Sequence, residues 1–190
     1  MLQVGLQVAT FFGQHFFSID KKSRLTIPLE LRTAIIRSKE GYDLAACPGH
    51  DRVLYLYTQS DYEESTARFD AKAQTDAGVR DYLRVRCGLK ANLAIDSLGR
   101  VLIPETLLKH FGVSREVVLV GAQDHMEVWP KAKWNEHVAR ALDKFDATAT
   151  AVLKPAAPAP KEASSATTTD ASSAQPAGKA QPAAPASGSA

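Results

Sequence analysis

Residues that build metal centres and disulfide scaffolds are scarce in this sequence. Its two cysteines, Cys47 and Cys87, have no CxxC spacing, and its five histidines have no ligand spacing. Neither a zinc site nor a disulfide framework is predicted, so we expect no metal and no cofactor. A reducing cytoplasm is the simplest compartment for two lone thiols.

Long apolar segments are missing as well. The first ten residues, MLQVGLQVAT, lack a basic start, and Gln14 and His15 interrupt the apolar run that follows them. This pattern predicts neither a signal peptide nor a membrane span, so no membrane partner is expected.

The segment 155–190 contains no Leu, Ile, Val or aromatic residue. It consists mostly of Ala, Pro, Ser, Thr and Gln. Such a composition cannot bury enough apolar surface to offset the entropy lost when a chain becomes ordered. We therefore predict a disordered C-terminal tail.

A strong net charge is lacking too, because the whole chain carries only +2. The distribution is uneven. Residues 20–40 hold six basic and three acidic residues and residues 80–115 hold seven and three, whereas residues 41–79 hold three and seven. A polyanion would be attracted to the two basic blocks, although a solvated charged surface explains such blocks equally well.

An internal repeat is the main feature that the sequence does contain. The stretch SIDKKSRLTIP at 18–28 matches AIDSLGRVLIP at 94–104 without a gap. Five positions, 76 residues apart, are identical: Ile19 and Ile95, Asp20 and Asp96, Arg24 and Arg100, Ile27 and Ile103, and Pro28 and Pro104. Both basic blocks contain a copy, so we infer an internal duplication.

Each copy predicts two short strands joined by a polar turn, which is a hairpin pattern. The strands are predicted at 15–19 and 25–27, and at 91–95 and 101–103. Gly99 suits a turn position with positive φ, where Ser23 in the first copy would cost roughly 1 kcal/mol. Alternation along the second strand of each copy directs Arg24 and Arg100 away from the core.

A short helix is predicted after each hairpin. Pro28 and Pro104 suit the first helical position, and Gly41 and Gly112 are the expected stops. Further strands are predicted at 44–46, 53–57, 117–120 and 125–129, with a capping box at Ser60 and a helix over 131–145. Two half-formed units with exposed edges would pair to close one α+β domain of pseudo-twofold symmetry.

These motifs make the chain resemble the MraZ family, which has two SpoVT-AbrB-type repeats. The signature Asp-x-x-x-Arg followed by hydrophobic residues and Pro occurs twice, and Phe12-Gly13 and the aromatic pairs Tyr57/Tyr62 and Trp129/Trp134 also fit. The resemblance covers roughly residues 12–145. It implies a fold of the swapped-hairpin type and the organisation described next.

The expected organisation has six parts. They are an N-terminal extension (1–13), a first SpoVT-AbrB-like repeat (14–61), a connecting helix (62–89), a second repeat (90–133), a C-terminal helix (134–154) and the disordered tail (155–190).

The same resemblance implies a function. Such a protein would bind double-stranded DNA at direct repeats in a promoter and repress the division and cell-wall gene cluster. It would form a ring-shaped homo-oligomer in the cytoplasm, associated with the nucleoid. It would act on no small-molecule substrate and would not be an enzyme.

Arg24 is the best candidate for a DNA contact, with Lys21 and Lys22 beside it. A guanidinium at a turn can contact a guanine edge or a phosphate bidentately, while lysines act as point charges on the backbone. Arg100 is the weaker candidate because its turn has no basic neighbours. The alternative is that Asp20 and Asp96 simply hold the two arginines in intrachain ion pairs.

The remaining candidates receive structural interpretations. Asp20 and Asp96 are expected to cap their turns and to orient the arginines, since a carboxylate facing DNA would repel phosphate. Arg32, Arg80, Arg84, Arg86 and Lys90 are expected to be solvated or on a helix surface. The aromatic pairs are expected in the core or at a subunit interface.

Two other classes of function stay open. A duplicated β-fold could bring Asp20 and Asp96 together as an aspartic hydrolase dyad, but neither turn has the expected Asp-Thr/Ser-Gly sequence. An antitoxin-like or assembly module would use the same fold for protein partners without selective DNA binding.

Overall fold

The computed structural model describes residues 9–37 and 43–153. Gly41, predicted to end a helix, and the predicted tail at 155–190 lie outside the described residues. The described chain is an α+β structure built from short strands and short helices. Within it, no helix has the length and apolar character needed to cross a bilayer.

The strands and helices follow one another in an order that is similar in the two halves of the chain. The strands are β1 (Gln14–Ser18), β2 (Arg24–Thr26), β3 (Asp43–Pro48), β4 (Leu54–Thr58), β5 (Ala91–Ala94), β6 (Arg100–Leu102), β7 (Glu116–Gly121) and β8 (Met126–Pro130). The helices are α1 (Leu29–Arg37), α2 (Gln59–Ala67), α3 (Asp70–Thr75), α4 (Ala77–Gly88), α5 (Glu105–His110), α6 (Lys131–Leu142) and α7 (Phe145–Leu153), with a 3-10 turn at His50–Arg52.

Six strands form one antiparallel sheet in the order β1-β7-β8-β4-β3-β5, and β2 and β6 form a separate antiparallel pair. β1, β3 and β4 of the first repeat correspond to β5, β7 and β8 of the second. With this correspondence, the strand order is the same when read from either edge of the sheet. β1 of the first half lies beside β7 of the second, and β5 of the second half lies beside β3 of the first. Each half therefore completes the sheet of the other.

The two strands of each predicted hairpin form their ladders with strands of the other half and not with each other. β1 pairs with β7, from Gln14 opposite Val120 to Ser18 opposite Glu116, and β2 pairs with β6. The second hairpin keeps a single bridge, between Ile95 and Val101. The two copies present chemically similar strand edges, so their sequences alone do not specify which edges pair.

The exchanged strands supply the centre of the main core. Leu25, Ile27, Val101 and Ile103 are all fully buried. They belong to one apolar cluster with residues of β3, β4, β7 and β8, among them Leu44, Leu56, Leu119 and Val128. Burying a side chain of this size contributes about 1.5–3 kcal/mol relative to leaving it in water.

The large sheet is covered on both faces at its centre. Along β4, Leu54 and Leu56 join the main core, whereas Tyr55 and Tyr57 belong to a second cluster on the opposite face. Helix α2 lies against β3 and β4, and helix α4 lies against β3. This double burial explains why β4 reads as a continuous apolar run rather than an alternating one.

Several helix boundaries differ from the predicted ones. Thr58, not Ser60, caps α2, because its hydroxyl accepts a hydrogen bond from the Asp61 amide at 3.2 Å. Helix α5 begins one residue after Pro104, which has an extended ψ of 134°. At the other end of α5, Gly112, the predicted stop of this helix, has a positive φ of 61°.

The segment predicted as one connecting helix contains parts of three. Asp76 has extended dihedrals and separates α3 from α4, and its carboxylate accepts hydrogen bonds from the amides of Gly78 (2.7 Å) and Val79 (3.2 Å). A carboxylate that caps a new helix in this way favours a break over continuation. The C-terminal helical segment likewise consists of α6 and α7.

The two turns allow a matched test of backbone strain. Ser23 has a φ of 59° and Gly99 a φ of 76°, so a side chain is strained at both positions. Ser23→Gly should therefore raise the free energy of unfolding by up to about 1 kcal/mol. Gly99→Ser should lower it, because a Cβ there would lie 2.6 Å from Cζ of Arg32. Urea unfolding at one protein concentration measures both, and a less stable Ser23→Gly variant would contradict this account.

Candidate nucleic-acid interface

The first turn is organised by the side chain of Asp20. Its Oδ1 accepts hydrogen bonds from the amides of Lys22 at 2.8 Å and Arg24 at 3.0 Å. Two backbone bonds close the turn, from the amide of Ser23 to the carbonyl of Asp20 and from the amide of Asp20 to the carbonyl of Arg24, each at 3.0 Å. The carboxylate thus caps the turn, as the sequence predicted.

The second turn repeats these bonds one for one. Oδ1 of Asp96 accepts from the amides of Leu98 and Arg100, each at 2.9 Å. The amide of Gly99 donates to the carbonyl of Asp96, and the amide of Asp96 donates to the carbonyl of Arg100, each at 2.8 Å. The two copies therefore share one local geometry despite having Ser at one position and Gly at the other.

Each turn is also bonded to the strand that follows the other turn. The amide of Ile27 donates to the carbonyl of Gly99 at 2.8 Å, and the amide of Ile103 donates to the carbonyl of Ser23 at 2.9 Å. Arg32 crosses over Gly99 and donates from Nε to the carbonyl of Ile27 at 3.0 Å. Arg32 is thus a link between the two copies and not a freely solvated side chain.

The register of β2 and β6 sets the positions of the two arginines. Arg24 lies opposite Leu102, and Arg100 lies opposite Thr26, while the intervening pair, Leu25 and Val101, is fully buried. Paired residues of an antiparallel ladder point to the same face, so both arginines share the outer face of this two-stranded ribbon. Diagonal positions of this kind are roughly 7–8 Å apart.

Each arginine is held by the aspartate of its own turn. Nε of Arg24 donates to Oδ2 of Asp20 at 2.7 Å, and Nη2 of Arg24 lies 2.6 Å from the same oxygen. The corresponding distances from Arg100 to Asp96 are 2.9 and 2.8 Å. The intrachain pairs considered from the sequence are therefore formed, and the carboxylates contact only the Nε and Nη2 side of each guanidinium.

Neither arginine is sequestered by its ion pair. The side chain of Arg24 is 30% exposed and that of Arg100 is 26% exposed. A guanidinium has five N–H donors, so one oxygen of a carboxylate cannot saturate it. Both arginines are therefore oriented and still able to reach a ligand.

The two aspartates are ionised at neutral pH. Hydrogen bonds from the side chain and the amide of Arg24 lower the pKa of Asp20 from its usual 3.8 to about 2. The equivalent bonds from Arg100 lower the pKa of Asp96. A hydrolase dyad requires two carboxylates that share a proton, whereas each of these two bonds to its own arginine within the described chain.

The basic neighbours of the two turns differ. Lys21 and Lys22 are exposed beside Arg24, whereas Ser97 and Leu98 occupy the equivalent exposed positions beside Arg100. The first turn therefore carries the higher density of positive charge, as the sequence indicated.

One basic residue near the first turn was missed by sequence analysis. The carbonyl of Arg115 accepts a hydrogen bond from the amide of Ile19 at 2.8 Å. Its exposed side chain, with Asp20 and Lys21, lines a cavity of about 410 Å³ beside the turn. Because β1 pairs with β7, a residue 91 positions after Arg24 joins the same surface. No local pattern could have identified it.

Other predicted residues lie away from this surface. Tyr57, Tyr62 and Trp129 are buried, as expected for core aromatics, and Trp134 packs against them. Arg86 was expected at a solvated or helix-surface position, but only 3% of it is exposed, so that expectation is wrong. It turns inward from α4 towards the tyrosines of the second cluster.

The comparisons with known proteins agree with one another. Residues 90–154 match the family described as "MraZ protein, putative antitoxin-like". A protein of Syntrophomonas wolfei named "Transcriptional regulator MraZ" is 30% identical over 136 residues, which is 72% of this chain and 92% of that protein. The chain belongs to the MraZ family. A protein of the same name from Nocardioides sp. is 33% identical over 71% of this chain and 90% of its own length. Another, from Thermobifida fusca, is 31% identical over 75% of this chain and 96% of its own length.

The role of the turn carboxylate in this MraZ family member can be tested by its effect on acid stability. The pKa of Asp20 is lowered by folding, so its contribution is complete above about 3.8 and is lost as the pH falls towards 2. Asp20→Asn should be less stable than the parent at pH 7 and should lose less stability between pH 4 and pH 2. Urea unfolding across this pH range measures the difference, with Asp143→Asn as an exposed control. An unchanged pH dependence in Asp20→Asn would contradict the assignment.

Proposed function

We propose that this protein is a transcriptional regulator that binds repeated elements in double-stranded promoter DNA and represses the division and cell-wall gene cluster. The names of its relatives support regulation of transcription. The observation that carries the DNA-binding proposal is the shared outer face of β2 and β6. On that face two arginines are held in fixed orientations by ion pairs and remain accessible to solvent.

The chemistry of this face suits DNA. The carboxylate already fixes the Nε side of each guanidinium, so little further side-chain entropy is lost when the arginine enters the major groove. The remaining N–H donors can bond O6 and N7 of guanine. Lys21, Lys22 and Arg115 lie around Arg24 and would contact phosphates, which gives affinity without sequence information. In this proposal the protein binds DNA and does no covalent chemistry on it.

The two halves would contribute unequally. The first turn combines Arg24 with two exposed lysines, whereas the second combines Arg100 with the exposed, apolar Leu98. Counterion release makes each lysine–phosphate contact favourable, so the first turn should provide most of the affinity.

The proposal includes assembly into a ring-shaped homo-oligomer of swapped-hairpin protomers, associated with the nucleoid in the cytoplasm. Direct repeats require several similarly oriented copies of one binding face, which a ring supplies. Exposed apolar side chains support such contacts: Phe12, Phe16, Leu29 and Ile36 are each at least half exposed.

A second candidate is an antitoxin-like or assembly module that binds proteins and not selected DNA. The description of the matching family contains the word antitoxin-like, which favours keeping this candidate. A gel shift with the DNA upstream of the protein's own gene, beside scrambled DNA of equal length, separates the two. Selective binding supports the regulator, and no binding at any salt concentration supports the module.

Removal of the leading arginine tests the proposed contact. Loss of one bidentate base contact costs about 1–3 kcal/mol, so Arg24→Ala should weaken binding to the repeats by roughly 5- to 150-fold. Arg100→Ala should weaken it less. Arg84→Ala, which removes an exposed arginine from α4, is the matched control and should bind as the parent does. Equal affinity of parent and Arg24→Ala, in fluorescence anisotropy, would remove Arg24 from the interface.

The lysines can be tested by salt dependence. Each phosphate contact contributes about one unit to the slope of log affinity against log salt concentration. Lys21→Ala and Lys22→Ala should each reduce that slope by about one and weaken binding to specific and scrambled DNA equally. A change in sequence preference, without a change of slope, would mean that the lysines read bases and not the backbone.

A further inference from the structure

A second cavity lies on the face of the sheet opposite the β2–β6 ribbon. It has a volume of about 240 Å³ and is lined by residues of β4, α2, α4 and the loop before β8, among them Tyr55, Tyr57, Ser65, Tyr82 and Arg86. None of these residues belongs to the proposed DNA surface. The cavity is therefore a separate feature of the fold.

The guanidinium of Arg86 has only neutral hydrogen-bond partners. Nη2 donates to Oγ of Ser65 at 2.7 Å, and Nη1 lies 3.3 Å from the hydroxyl of Tyr82 and 3.5 Å from the carbonyl of Pro48. The buried Nε has no hydrogen-bond partner in the part of the chain that the structure describes. With a further hydrogen bond to the side chain of Tyr57, all these partners are neutral, and none of them bonds Nε.

The aromatic surroundings of Arg86 supply no counter-charge. Its Cζ lies 5.3 Å from the ring centroid of Tyr57 and 5.4 Å from that of Tyr62. Among the ion pairs formed within residues 9–37 and 43–153, none includes Arg86. A buried charge without a counter-ion is costly, and an anion placed beside it removes that cost.

The carboxylate nearest the cavity is already engaged. Asp124, at its rim, lies 2.7 Å from Nδ1 of His125, and Nε2 of His125 lies 3.4 Å from Glu127. Although burial disfavours its charge, hydrogen bonds to Glu127 and Asp124 raise the pKa of His125. A protonated His125 balances one of these two carboxylates, and the exposed Arg68 beside them is paired with Glu64 at 3.0 Å.

The polar cavity continues into an apolar one. A neighbouring space of about 350 Å³ shares His50, Phe69 and Tyr82 with it and is otherwise lined by Asp76, Gly78 and Val79. Oδ1 of Asp76 accepts the hydrogen bonds that cap α4. The combined groove therefore has a buried cation at one end and apolar walls at the other. Such a groove complements a molecule that has the opposite arrangement.

We propose that this groove binds a small organic anion that carries an aromatic or alkyl group. Its carboxylate or phosphate accepts hydrogen bonds from the guanidinium of Arg86, and its apolar part lies between Phe69 and Val79. Its binding would join α3 and α4 to the sheet on the side away from the DNA surface.

The test is calorimetric titration of the full chain with benzoate, octanoate and phenyl phosphate, with benzamide as the neutral match of benzoate. At least one anion should bind saturably in the millimolar range or below, and benzamide should bind at least tenfold more weakly than benzoate. Benzoate and octanoate test for a carboxylate head group, and phenyl phosphate tests for a phosphate head group. Absence of saturable binding by all three, or equal binding of benzamide and benzoate, would overturn the proposal.

Two variants and a matched control locate the site. Arg86→Gln should weaken binding of the best anion by roughly tenfold or more, because it removes the buried partner of the charge. Arg84→Gln, on the same helix and exposed, should leave the affinity unchanged. Circular dichroism shows whether each variant folds. If Arg86→Gln does not fold, the affinity of Val79→Glu for the same anion tests the site instead. A folded Val79→Glu variant should repel the anion, and unchanged affinity in either folded groove variant would overturn the proposal.

Discussion

The short pairing between β2 and β6 is the contact on which the arrangement of the molecule depends. It buries Leu25 against Val101, and the reciprocal bonds from Ile27 to Gly99 and from Ile103 to Ser23 lock each turn to the strand of the other half. Either half alone would leave its most apolar motif and its free strand edges in water. This pairing therefore contributes both to the core and to the geometry of the face that carries the two arginines.

That geometry couples the stability of each turn to the orientation of its arginine. In each turn the same carboxylate caps backbone amides through one oxygen and holds the arginine through the other. The aspartate holds the guanidinium from its Nε and Nη2 side and leaves its other donors free of the carboxylate. A rigid turn on a buried ribbon keeps the arginine in place at a low entropic cost.

The large sheet separates two chemically different surfaces. Its central strands are buried on both faces, so the ribbon with its arginines lies on one side and the tyrosine cluster with Arg86 lies on the other. Helices α2 and α4 close the second side, where a cation is buried among phenol rings. A protein whose proposed function is recognition of DNA thus has room for a second ligand that does not compete for the same surface.

The sequence by itself determined the local features of this protein: the two Asp-x-x-x-Arg turns, the positive φ at Ser23 and Gly99, the buried alternation after each arginine and the pairing of each arginine with its aspartate. These depend on residues within about five positions of one another. Only the tertiary structure decided which strand edges pair, that Arg115 joins the first turn and that Arg86 is buried. Because the strand edges of the two halves are similar, pairing within a half and pairing between the halves have nearly equal local energies. The pairing between the halves is the one that buries all four motif strands at once.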